Sequence, residues 1–208
     1  VIDLMSKIPR EMKDDPRYKN LFTAIVWHDA IYFPGAKNNE IRSSELFVVV
    51  NSTNNTIKTE IDYEWNDADK VVDIIMATKD HEVINKDNLE EEVMIDLDLF
   101  GLSSDWPDYV ANGRKIRKEF GEFSPEAWRN GRTAFIERFL AKDKIYKSGF
   151  FVNRELRARY NLECFKSGYI VLYNLMASCS TSHLVPSEYK SNVSKGFSSE
   201  ATEQILTT

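Results

Sequence analysis

The chain carries three histidines, His28, His81 and His183, and the first stands directly before a carboxylate, Asp29. His28 and Asp29 close an apolar run of Leu21, Phe22, Ala24, Ile25, Val26 and Trp27, which reads as a buried helix. A carboxylate taken out of water needs a partner, and a neighbouring imidazole or a bound cation is the usual one. His81 follows one helix later, and Asp96 and Asp98 two helices later. Nitrogen and carboxylate donors from three elements suit Mn²⁺, Fe²⁺, Zn²⁺ or Ni²⁺ better than Ca²⁺, which takes oxygen almost exclusively. The plainer reading of a lone His-Asp dipeptide is a satisfied polar pair in a core. His183 falls in a Ser- and Thr-rich end and is set aside.

The elements that must position these groups read as helices throughout. Pro34-Gly35 ends the first apolar helix, which runs from about Pro16, and Asn38-Asn39-Glu40 opens the next with Asn38 or Asn39 as N-cap. EIRSSELFVVV, from Glu40, fits a helix or, at its β-branched end, a strand, and NSTNNTIKTEIDYEW reads as a loop or insertion. Asn66 or Asp67 caps a helix in which Ala68, Val71, Val72, Ile75 and Met76 recur at helical spacing. Leu89 to Gly101 is a further helix, interrupted by Asp96 and Asp98. Pro107 and Pro125 each start one, and a last helix runs from about Val152 into the 170s. Arg10 to Asp15 reads as a charged connector. Ile2, Leu4 and Met5 read as the last turns of a helix whose beginning is absent. The expected fold class is all-α.

Composition bounds the function. At 208 residues, with 42% hydrophobic and 12% aromatic residues, the chain suits one globular domain over about 1–177, followed by a tail, 178–208, too polar to bury a core. A net charge of −6 argues against coating nucleic acid. Two cysteines, Cys164 and Cys179, make neither a disulfide framework nor a zinc knuckle. No apolar run approaches the ~20 residues that span a bilayer, and no secretory signal is evident. The expected location is therefore cytoplasmic, which makes the sequons at Asn51, Asn54 and Asn192 coincidental. The oligomeric state is not legible.

The order of the motifs resembles the HD superfamily of metal-dependent phosphohydrolases, and within it the branch of predicted metal-dependent HD phosphohydrolases. The blocks are WHDAIY (Trp27 to Tyr32), NEIRSSEL (Asn39 to Leu46), IIMATKDH (Ile74 to His81), IDLDLFGL (Ile95 to Leu102), IRKEF (Ile116 to Phe120), GRTAFIERFL (Gly131 to Leu140), KIYKSGFF (Lys144 to Phe151) and ELRARYNL (Glu155 to Leu162). The resemblance implies an HD-domain helical bundle whose divalent cation, Mn, Mg, Fe, Ni or Zn, is held by His28, Asp29 and a distant Asp. Asp98 is the better match because it precedes Leu99, with Asp96 as the fallback. Side chains two apart on a helix point about 200° apart, so only one of them can face the pair. In this branch the first metal His lies in a segment just before one that reads like VIDLM, and the chain begins after the place where that segment is expected. Asn112 departs from the Tyr that the family tends to have before IRKEF.

The reaction that the resemblance implies is hydrolysis of a small phosphoester, such as a nucleotide, by a metal-activated water. Asp29 or Glu40 would orient or deprotonate that water, and Lys79 would neutralise the phosphate. Asn39, His81, Arg117 and Arg132 complete the expected substrate-binding set. Each has a plainer reading. Glu40 suits a first helical turn, Lys79 a solvated face, and His81 a helix C-terminus. Arg117, Arg132 and Arg159 lie near Glu119, Glu137 and Glu155 and suit helix-face pairs. Trp27, Phe33, Tyr146, Phe150 and Phe151 are expected in the core rather than around a base. The alternative function is an HD-fold module without chemistry that binds or scaffolds.

Overall fold

Apolar side chains at helical spacing generate most of the architecture, which a computed structural model describes for residues 2–56 and 67–166. In order, the helices are α1 (Ile2–Lys7), α2 (Arg10–Lys13), α3 (Tyr18–Trp27), α4 (Asn39–Thr56), α5 (Ala68–Asp80), α6 (Leu89–Asp98), α7 (Trp106–Glu119), α8 (Pro125–Leu140) and α9 (Glu155–Lys166). Two 3₁₀ turns, Phe100–Ser103 and Gly149–Arg154, complete the set. No strand occurs among the described residues, so the class is all-α. Among these residues, no helix is long and apolar enough to cross a membrane. The expected tail, His183 and Cys179 lie outside the described residues.

Helix α6 is the centre. Val93, Met94, Ile95, Asp96 and Leu97 are buried in succession, as in a helix enclosed on every side. Helices α3 and α5 both pack on it, and α4 packs on α5. On α3 the buried stripe is Leu21, Ala24 and Ile25; on α5 it is Val71, Ile74, Ile75 and Thr78. Both stripes follow the i, i+3, i+4, i+7 pattern of a one-faced helix. The termini are capped where the sequence offers acceptors. Asp67 accepts from the Lys70 amide, Asn88 from those of Glu90 and Glu91, and Ser124 from that of Ala127. Helix α9 is tied to the first 3₁₀ turn by Asn161, whose Nδ2 donates to the carbonyls of Leu102 and Ser104, both at 2.8 Å.

Several boundaries differ from expectation. Arg10 to Asp15 is not a mere connector, because its first four residues fold as α2 around buried Met12. Helix α4 carries the Val48-Val49-Val50 run and continues through NSTNNT to Thr56, so the strand alternative and the start of the loop are both replaced by helix. Residues 57–65 of that loop, and Asn66, lie outside the described residues. The helix beginning at Leu89 stops at Asp98 and tightens into the 3₁₀ turn instead of reaching Gly101. The last helix starts at Glu155, after a 3₁₀ turn that takes up Val152.

Candidate functional site

The stripe of α3 continues one turn beyond Ile25, and this delivers His28 to the core side. His28 is the C-cap of α3, its amide bonded to the Ala24 carbonyl at 2.8 Å, and only 4% of the residue is exposed. Its Nδ1 lies 3.0 Å from the Ile25 carbonyl. A carbonyl only accepts, so Nδ1 carries the proton. Nε2 therefore faces the site, 3.3 Å from Asp29 Oδ2 and 3.8 Å from Asp98 Oδ1. Burial pushes the imidazole pKa down. The hydrogen bond to Asp29 and the charges of Asp98 and Asp29 outweigh that effect and raise it. The same hydrogen bond holds Asp29 below the usual carboxylate range in spite of partial desolvation.

Asp98 arrives from the C-terminal end of α6 and His81 from that of α5. His81 is the C-cap of α5 in the left-handed conformation, with φ 54° and ψ 47°, which a non-glycine residue seldom adopts. That turn aims Nε2 at Asp98 Oδ2, 3.0 Å away. The ring stands edge-on to Phe139, with centroids 5.3 Å apart. Its Nδ1 is buried with no hydrogen-bond partner among the described residues. Asp98 thus lies between two imidazoles, and it shares His28 Nε2 with Asp29.

Asp96 goes elsewhere. Its fully buried carboxylate accepts from the amides of Lys147 at 2.5 Å and Ser148 at 2.8 Å, and from Ser148 Oγ at 2.6 Å. Burial pushes its pKa up to about 6 against those three bonds. Its visible work is to fasten the segment after α8 to α6.

The remaining expected site residues do not join the cluster. Asn39 is buried, but its side chain bonds both backbone groups of Phe33 at 3.0 Å, closing the loop instead of capping α4. That loop is a turn in which the Ala36 amide bonds the Phe33 carbonyl, with Pro34 and then Gly35 at φ 81°, the pattern of a type II turn. Glu40 occupies the first turn of α4 and Lys79 the last turn of α5, both half-buried. Neither makes a hydrogen bond or ion pair to His28, Asp29, His81 or Asp98. Arg117 closes the end of α7, donating to the carbonyls of Phe120 at 2.6 Å and Phe123 at 3.1 Å. Arg132 donates to Tyr109 Oη at 3.3 Å and stacks over Phe135 and Phe165. Arg159 forms the expected pair with Glu155, at 2.8 Å. Tyr146 and Phe151 are core, whereas Phe33 and Phe150 are exposed.

Residues that the sequence did not single out surround His81. Lys142 Nζ donates to the His81 carbonyl at 3.3 Å, and both Lys142 and Lys147 pair with Glu82. No local pattern signals these contacts: Lys147 and Glu82 are 65 positions apart, far beyond any helical repeat.

The donor types gathered here, two imidazole nitrogens and two carboxylates, fit a divalent transition ion in kind. As placed, they contact one another in pairs. Among the described residues, no group of three or more His, Cys, Asp or Glu side chains is arranged to hold a metal ion. Comparison with protein-family models, with curated proteins and with solved structures finds no match for this chain.

Proposed function

We propose that the chain is an HD-type phosphohydrolase domain acting on a small phosphoester. The observation that carries this reading is the placement of Asp98 between His28, at 3.8 Å, and His81, at 3.0 Å, with Asp29 at 3.3 Å from His28. His28, Asp29 and Asp98 would hold the divalent ion, which when bound lowers the pKa of water from 15.7 towards about 7. The chain's own residues do the rest. Hydrogen-bonding of Nδ1 to the Ile25 carbonyl keeps His28 Nε2 directed at the carboxylates. Asp29, whose side chain is 55% exposed, is kept ionised and can accept a proton from water. Lys79, two residues before His81, is the cation nearest in sequence for a phosphoryl oxygen.

A second reading is an HD-fold module without chemistry, and the pairwise closure of the four side chains, with no metal-ready triad among the described residues, favours it. Elemental analysis of the purified protein, with phosphate release from a panel of nucleotides and phosphomonoesters in Mn²⁺, Mg²⁺, Fe²⁺, Ni²⁺ or Zn²⁺, separates the two. Bound metal and turnover that both disappear in Asp98→Asn support the hydrolase. Absence of both in the wild type supports the binding module.

A further inference from the structure

The coil after α5, the turn after α8 and Glu92 of α6 border an open cleft of about 600 Å³. Lys142, Lys144 and Lys147 line it together with Glu82, Glu92 and Asp143. The side chains of Lys142 and Lys147 are only 14% and 18% exposed, unusually covered for lysine. One carboxylate holds both: Lys142 Nζ pairs with one oxygen of Glu82, and Lys147 Nζ lies 2.7 Å from the other. Lys142 is also anchored to the His81 carbonyl. Glu82, by contrast, is 56% exposed and sits in coil beyond the end of α5. Two largely covered cations therefore share one anion whose side chain is more than half exposed.

We propose that this cleft is an anion-binding site for a phosphate or diphosphate group of a small ligand, with Glu82 filling the place of that group between Lys142 and Lys147 when the ligand is absent. Separate oxygens of a carboxylate engage the two ammonium groups here, as separate oxygens of a phosphate would. With Glu82 in place the three lysines face three carboxylates, so the positive field of the cleft appears only when Glu82 leaves. The site does not depend on the hydrolase reading, since neither metal nor His28 takes part.

Titration of inorganic pyrophosphate into the metal-free protein, followed by amide chemical shifts, tests this at constant ionic strength. Glu82→Gln is expected to tighten binding roughly three- to tenfold by removing one competing charge. Lys147→Met, which keeps the stem, is expected to weaken it by a similar factor, with shifts centred on residues 82–83 and 141–147. Lys118→Met, at an exposed lysine of α7 outside the cleft, is expected to bind as the wild type does. Unchanged affinity in Glu82→Gln overturns the proposal, as does a loss in Lys118→Met equal to that in Lys147→Met, which would make the attraction one of general charge. If Lys147→Met fails to fold, the Glu82→Gln comparison still decides.

Discussion

His81 Nε2 lies 3.0 Å from Asp98 Oδ2 although 17 positions separate the two residues. The contact requires the left-handed backbone at His81, which turns the ring away from the axis of α5 and towards the end of α6. Asp98 then serves two rings at once. Because Val93 to Leu97 of α6 are buried in succession while Asp98 retains 27% side-chain exposure, the carboxylate sits where the core opens to solvent.

The two aspartates of α6 are expected to separate by phenotype. Asp96→Asn replaces an acceptor of three hydrogen bonds with a group whose Nδ2 meets donors, and should destabilise the fold by roughly 1–3 kcal/mol. Asp98→Asn should cost less than about 1 kcal/mol, because its carboxylate is partly solvated. Urea denaturation of both variants checks this. Equal losses would mean that Asp98 also secures the fold.

Asp96 also sets a pH dependence. Its folded pKa, raised to about 6, lies above the ordinary value of 3.8, so the folded state binds the proton more tightly than the unfolded chain does. The stability associated with the protonated form is complete below pH 3.8 and declines as pH rises through about 6. The gap between wild type and Asp96→Asn should therefore shrink by roughly 1–3 kcal/mol between pH 4 and pH 7. Unfolding free energies measured across that range for both proteins provide the check, and a widening gap would reverse the sign.

Two glycines are expected to respond to alanine in opposite directions. At Gly35, with φ 81°, an added Cβ would lie 2.5 Å from Phe123 Cζ, so Gly35→Ala should destabilise by about 1–3 kcal/mol. At Gly131, inside α8, nothing lies within 4 Å of the added atom. Gly131→Ala should stabilise by roughly 0.5–1 kcal/mol through helix propensity. Thermal melts of the pair distinguish turn strain from general sensitivity.

Glu91 is expected to be a stability residue of the coil that carries Glu82. Its fully buried carboxylate accepts from the amides of Ile84 at 2.6 Å and Asn85 at 3.0 Å, and from the side chains of Asn85 at 2.7 Å and Asn88 at 2.9 Å. Glu91→Ala removes the acceptor of four hydrogen bonds, among whose donors the Asn85 side chain keeps another partner, Asp73, and should cost about 2–4 kcal/mol. Hydrogen exchange at Ile84 and Asn85 should accelerate more than at the core of α5. Uniform acceleration would show that the coil has no separate anchorage.

The helical class, the helices α3 and α5 and the cap at Asp67 were legible in the sequence, whereas the apolar run of α3 hid the fact that Phe22 and Val26 face outward. Each depends on residues within about one or two turns of one another, where spacing alone decides which side chains share a face. Opposite orientation of Asp96 and Asp98 follows from the same geometry. What each aspartate meets does not. Asp96 finds Ser148 from 52 positions away and Lys142 reaches His81 across 61, and such partners are chosen by how α6, α8 and the connecting turns pack. Arg117 and Arg132 show the converse: residue type allowed a phosphate contact, but neighbouring carbonyls and aromatic rings engage both guanidinium groups. Charge and residue type are local properties of the chain. Which charge faces which is settled only when the core closes and leaves each polar group the partners within its reach.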